Sequence, residues 1–150
     1  MGRYFEVVSD KFRKTEGEVK KPTRADVGSA GYDFYSTVHG TVKPNEIIKV
    51  WTDLKVVMEK DEALLLDVRS SMGGKWQLAN TIGVVDSTYH NNPDNDGNIG
   101  IFLKNISDKE LTIEVGDKIA QGIFIKYLIT DDDEPLSQTR EGGFGSTGKK

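Results

Sequence analysis

Asp86 stands where a run of β-forming residues, Ile82-Gly83-Val84-Val85, gives way to Ser87-Thr88-Tyr89. A carboxylate at the end of a buried strand is held rigidly, as a general base must be. Tyr89, three residues on, offers an aromatic face to a sugar or a base. Asn80, just upstream, carries donors and acceptors that suit the edge of a pyrimidine. The plainer alternative is a hairpin with an Asp turn. A second cluster closes the chain: Arg140-Glu141-Gly142-Gly143-Phe144-Gly145-Ser146-Thr147-Gly148, with four glycines in nine residues. Such a strip cannot build a core, but its backbone N–H groups can wrap an anion closely. Arg140 supplies a planar fork for phosphate oxygens, Ser146 and Thr147 supply hydroxyls, and Phe144 supplies a ring for stacking. A solvated tail is the competing reading.

Three further segments carry weaker signals. Ser29-Ala30-Gly31-Tyr32-Asp33 places a carboxylate two residues after a glycine. Val68-Arg69-Ser70-Ser71-Met72-Gly73-Gly74 combines a guanidinium, two hydroxyls and free backbone donors, either an anion site or a structural ion pair with a Ser cap. Gly116-Asp117-Lys118-Ile119-Ala120-Gln121 puts an amide, which needs a partner, inside an apolar strand.

These groups have to be positioned by a β-rich scaffold. Strand signals recur at residues 4–8, 47–52, 54–58, 63–68, 82–85, 98–103, 111–115 and 119–125, several of them alternating apolar and polar residues. Turn signals separate them at 43–46, 59–62, 105–108 and 115–117. Many short strands at even spacing predict an all-β sandwich, jelly roll or barrel. One short helix is expected around residues 71–77, weakened by two glycines. Residues 91–97 read as a polar loop and 131–135 as an acidic linker to the tail. The expected organisation is one domain, with a β-rich core over 1–130 and a linker and tail over 131–150.

Composition narrows the function. The chain has 150 residues, 36% hydrophobic and 29% charged, with a net charge of −4 and no cysteine. Interspersed charge excludes a general nucleic-acid binder, which needs a clustered basic face. The absence of cysteine excludes disulfides, thiolate catalysis and Cys-based zinc sites. No run approaches the ~20 apolar residues of a membrane span, and no signal-like segment opens the chain. A cytoplasmic protein without nucleic-acid or membrane partners is expected.

Taken in order, the five segments resemble the five motifs of the trimeric dUTPase family over nearly the whole chain, from about Pro22 to Gly148. The resemblance implies a jelly-roll-like fold, a homotrimer with shared active sites, and Mg²⁺-dependent hydrolysis of dUTP to dUMP and pyrophosphate. It implies that Asp33 and Gln121 hold the water shell of the metal and the phosphates. Arg69, Ser70 and Ser71 then orient or bind phosphate, Asp86 activates the attacking water, and Tyr89 packs under the deoxyribose. Asn80 and the backbone through Gly83 read uracil. Arg140, Gly145, Ser146 and Thr147 close on the phosphates, with Phe144 over the base.

The chain departs from the family pattern at several points. Val68 replaces the proline before the second-motif arginine, and Ser71 replaces the following glycine. In the third motif Thr88 replaces the second acid and His90 the basic residue. Residues 91–96 form an insertion before Gly97, and Arg140 lies one residue closer to Phe144 than in many members. Two rivals share the scaffold. A dCTP deaminase-like enzyme also shows Arg-Ser-Ser but needs a glutamate on the strand after the third motif, and residues 98–105 contain no acid. A non-catalytic nucleotide sensor could use the insertion for partner contacts.

Overall fold

The computed structural model describes residues 2–137. Eleven strands and no α-helix occur among them. A four-stranded sheet has the order β2 (Tyr32–Tyr35), β11 (Lys118–Lys126), β6 (Glu62–Asp67), β8 (Gly83–Asp86). A three-stranded sheet has β9 (Gly100–Asn105) between β4 (Ile47–Trp51) and β7 (Trp76–Leu78). Two antiparallel pairs complete the fold: β1 (Tyr4–Val7) with β5 (Leu54–Val57), and β3 (Gly40–Val42) with β10 (Leu111–Ile113).

Alternation explains the layers. In β9, Ile101, Leu103 and Asn105 are buried while Phe102 and Lys104 are partly exposed. In β6, Leu64 and Leu66 face inward, and Val85 joins them from β8. These residues meet Val50, Ile101, Leu103 and Leu78 of the other sheet in one continuous core, so two sheets share one interior. Edge-on rings of Phe5, Tyr32 and Phe34, with Phe124, tie β1 to the larger sheet.

The short helix expected at residues 71–77 does not form. The chain makes a single 3-10 turn over Ser70–Met72. Gly74, at φ 82°, then takes the left-handed conformation that ends helical geometry. Trp76 and Leu78 follow as buried residues flanking exposed Gln77, and they pair with Asn105 and Leu103 as β7. Strands β2, β3 and β7 had no strand signal of their own. Two of them are only three residues long, and β2 carries an aspartate among its aromatics.

Candidate functional site

Register places Asp33, Gln121 and Asp86 on one face of the larger sheet. Residues paired directly across antiparallel strands point to the same side. Gln121 of β11 pairs with Asp33 of β2 on one side and Asp67 of β6 on the other. Leu65 pairs with Ile123 and with Val84, and Ala63 pairs with Ile125 and with Asp86. The outer face therefore carries three rows: polar Asp33–Gln121–Asp67, apolar Ile123–Leu65–Val84, and a row ending in Asp86. Four residues of β6 separate the first row from the third, about 13 Å along the strand.

At the polar end, Asp33 is buried, and its two oxygens face two cations. Arg69 Nε donates to Oδ1 at 3.2 Å, and Lys118 Nζ lies 3.7 Å from Oδ2. Arg69 stands just past the end of β6 and opens the 3-10 turn, so its partly exposed guanidinium is aimed by a carboxylate two strands away. Ser70 and Ser71 lie exposed in that turn. Gln121 Nε2 donates to Val68 O at 3.3 Å. Gln121 Oε1 lies against Gly31, where any side chain would collide with it. The glycine of the first motif is therefore needed to seat the amide of the fourth. Lys118 was not singled out by sequence reasoning. Its signal was its place in the Gly-Asp-Lys turn ahead of Gln121, but the ion pair arises only from the pairing of β11 with β2.

At the other end, Asp86 is exposed as the last residue of β8. Asn80 and Gly83 do come together: a Cβ on Gly83 would lie 3.6 Å from Asn80 Nδ2. The segment between them is a turn closed by the Leu78–Thr81 bridge, with Thr81 at φ 63°. It is not a simple hairpin, because β7 and β8 run on into different sheets. Tyr89 ends the 3-10 turn Ser87–Tyr89 and is largely buried. Its hydroxyl donates to Asn98 O at 2.7 Å and accepts from Asn95 Nδ2 at 2.7 Å. Asn98 in turn is locked to Asp53: Asp53 N–H donates to its Oδ1, and its Nδ2 donates to Asp53 Oδ1, both at 2.9 Å.

Sequence reasoning missed Asp53 and Asn98, because an Asp after Trp51-Thr52 reads as a turn. Asp53 is fully buried. Burial pushes its carboxyl up, but hydrogen bonds from Thr15 Oγ1, Lys14 N–H, Asn98 and Thr15 N–H together hold it below the ordinary value. Asp96 behaves alike: burial raises it, while the Ser9 N–H and the Lys55 ammonium outweigh that and lower it.

Arg140, Phe144, Gly145, Ser146 and Thr147 lie outside the described residues. Among the described residues, no three His, Asp or Glu side chains gather as a metal site. Asp33 is already paired with two cations, and with the Gln121 amide it offers hard oxygens only. That donor set suits an ion that brings water and phosphate as its main ligands.

A carboxylate and an amide on one sheet face, with a guanidinium and serine hydroxyls on the turn beside them, define a β-sandwich suited to a phosphorylated ligand. The dUTPase family model matches residues 17–148. The deoxyuridine 5'-triphosphate nucleotidohydrolase of Lactococcus lactis is 40% identical over 149 residues, covering 97% of each chain. The human mitochondrial enzyme of the same name is 32% identical over 143 residues, covering 93% of this chain and 54% of that one. The crystal structure of dUTPase from Streptococcus mutans superposes with a TM-score of 0.75 at 33% identity, covering 87% of this chain and 99% of the other. A dUTPase mutant from phage phi11 of S. aureus, described for its coordination of a structural Mg(II) ion, shares the fold, with a TM-score of 0.67 and 21% identity over 91% of this chain and 98% of that one. The chain belongs to the dUTPase family.

Proposed function

We propose that this protein hydrolyses dUTP to dUMP and pyrophosphate in the cytoplasm, as a homotrimer whose active sites are shared between subunits. Water attacks the α-phosphorus, a new P–O bond forms, and the bond to the bridging oxygen breaks, so pyrophosphate leaves. Asp86 accepts the proton of the attacking water from its fixed place at the end of β8. Arg69 and the Ser70–Met72 turn meet phosphate oxygens, and Asp33 keeps Arg69 in place. Asn80 and the backbone at Gly83 meet uracil, and Tyr89 lies under the deoxyribose. Arg140, Ser146 and Thr147 grip the outer phosphates, and Phe144 covers the base. Mg²⁺, when bound to the triphosphate beside Asp33 and Gln121, supplies neutralisation of the charge that builds on pyrophosphate.

One observation carries this reading. The residues assigned to phosphate and the residue assigned to water activation share a face but stand about 13 Å apart along β6, with Ile123, Leu65 and Val84 between them. Val84 is 59% exposed, and Leu128 and Leu136 beyond β11 are almost fully so. Covering these apolar residues with a second copy brings the polar end of one subunit toward Asp86 of another. The absence of any acid on β9 leaves the deaminase chemistry without its glutamate.

The test is a panel of nucleoside triphosphates with Mg²⁺, scored for pyrophosphate and ammonia. Pyrophosphate from dUTP, with little from UTP, dCTP or dTTP, is expected. Ammonia from dCTP, or dUTP binding without turnover, would refute the assignment.

A further inference from the structure

Residues 90–98 read His-Asn-Asn-Pro-Asp-Asn-Asp-Gly-Asn, a composition that predicts a turn-rich surface loop. The structure shows this loop folded back on itself. Asn92 Oδ1 accepts the Asp94 N–H at 2.9 Å, and Asn95 Oδ1 accepts the Gly97 N–H at 3.0 Å. Gly97 sits at φ 86°, and a Cβ there would lie 2.6 Å from Tyr89 O. The chain thus leaves Tyr89 and returns to touch it at Gly97, so the added residues form a closed loop with a narrow neck. Outside the neck, Lys55 Nζ donates to Asn91 Oδ1 at 2.6 Å and pairs with Asp96 at 3.1 Å. The Ser9 N–H donates to Asp96 at 2.9 Å. Asn91, Asn92, Asn95 and Asp96 thus bond to the protein itself, while Asp94 lies exposed.

One of them reaches a residue assigned to the substrate. The Asn95 amide uses its oxygen on the Gly97 N–H and its nitrogen on the Tyr89 hydroxyl, which itself donates to Asn98 O. Tyr89 is thereby held as donor and as acceptor at once, its hydroxyl tied to the inserted loop through Asn95 and to the chain beyond it through Asn98. The geometry points to Asn95 as a positioning residue for sugar selection. By fixing the Tyr89 ring it keeps the space beside the sugar too small for a 2′-hydroxyl. The inference rests on the assignment of Tyr89 to the deoxyribose.

The experiment measures kcat/KM for dUTP and UTP in the wild type, Asn95→Ala, Tyr89→Phe, the double variant, Asn95→Asp, Lys55→Met and Tyr89→Ala, with Tm for each. Asn95→Ala is expected to lower the dUTP-over-UTP preference about 5–10-fold, the reach of one hydrogen bond. Tyr89→Phe removes this bond and also the one to Asn98 O, so it should shift the preference at least as far, and the double variant should be no worse than Tyr89→Phe, because the bond between the two side chains is lost only once. Asn95→Asp keeps the acceptor for Gly97 but lacks the donor, so it should shift the preference in the same direction while preserving the loop. Lys55→Met opens the outer clamp and should lower Tm without changing the preference. An Asn95→Ala preference within twofold of wild type overturns the proposal. So do effects that multiply in the double variant, or an equal shift in Lys55→Met. A Tyr89→Ala enzyme with unaltered preference removes the sugar role of Tyr89 itself. Altered preference in Tyr89→Ala with none in Asn95→Ala removes only the role of Asn95.

Discussion

Replacing Asp53 with alanine tests how the buried polar network supports the fold. The carboxylate accepts from Lys14 N–H at 2.9 Å, Thr15 N–H at 3.0 Å, Thr15 Oγ1 at 2.6 Å, Arg13 Nε at 3.3 Å and Asn98 Nδ2 at 2.9 Å. Arg13 can turn to solvent and the Thr15 hydroxyl can rotate. The Lys14 N–H, the Thr15 N–H and the Asn98 amide cannot, and each stranded donor costs at least about 1 kcal/mol. Asp53 also sits at φ 59°, where alanine costs about 1 kcal/mol more. The sum, about 4 kcal/mol, corresponds to a Tm lower by about 8–16 °C in a chain of this size. Asn at position 53 tolerates the left-handed backbone, so Asp53→Asn removes the charge and one acceptor oxygen without the backbone cost. The pH dependence has a definite sign. The folded carboxyl lies below its ordinary value, so its contribution is full above about pH 4, the unfolded value, and fades as pH falls through the folded one. Urea denaturation at pH 7 and pH 3 should show the gap between wild type and Asp53→Asn shrinking in acid. A Tm change under about 3 °C for Asp53→Ala, or a gap that widens in acid, would refute the reasoning.

Other perturbations separate the parts of the proposed site. Asp86→Asn should lower kcat for dUTP by about 10²–10⁴-fold with little change in nucleotide affinity by calorimetry; unchanged turnover removes Asp86 from its role. Arg69→Ala frees Asp33 from its nearer cation and should weaken dUTP binding far more than that of deoxyuridine, which lacks phosphate; equal losses would point to a purely structural ion pair. Val84→Lys places a charge in the exposed apolar row and should shift the assembly toward monomer in light scattering while abolishing turnover; an active monomer would break the shared-site reading. Removing residues 140–150 should leave Tm within about 2 °C, since the core runs from Phe5 to Ala120, and cut kcat/KM at least about 100-fold.

Several features could be read without coordinates. Runs of β-forming residues marked eight of the eleven strands, several of them by alternation, because a half-buried strand writes its two faces into every second residue. The missed strands β2, β3 and β7 lack a run of aliphatic β-formers such as marks the equally short β10, and the register that draws them in belongs to their neighbours. The helix expected near residue 71 failed because local composition cannot announce that Trp76 and Leu78 have a β9 edge waiting for them.

The residue types needed for phosphate and water chemistry, and their order, are a property of the chain itself: Asp33, Arg69, Ser70, Asp86, Tyr89 and Gln121 were visible as chemistry before any fold. Which of them stand together was decided by strand pairing. Antiparallel register set Gln121 between Asp33 and Asp67 and left Asp86 two rows away across an apolar stripe, while side-chain hydrogen bonding brought an inserted loop onto Tyr89. Sequence records what each side chain can do. Distances between segments remote in sequence come from the balance of pairing and burial over the whole sandwich, a balance that no single segment contains.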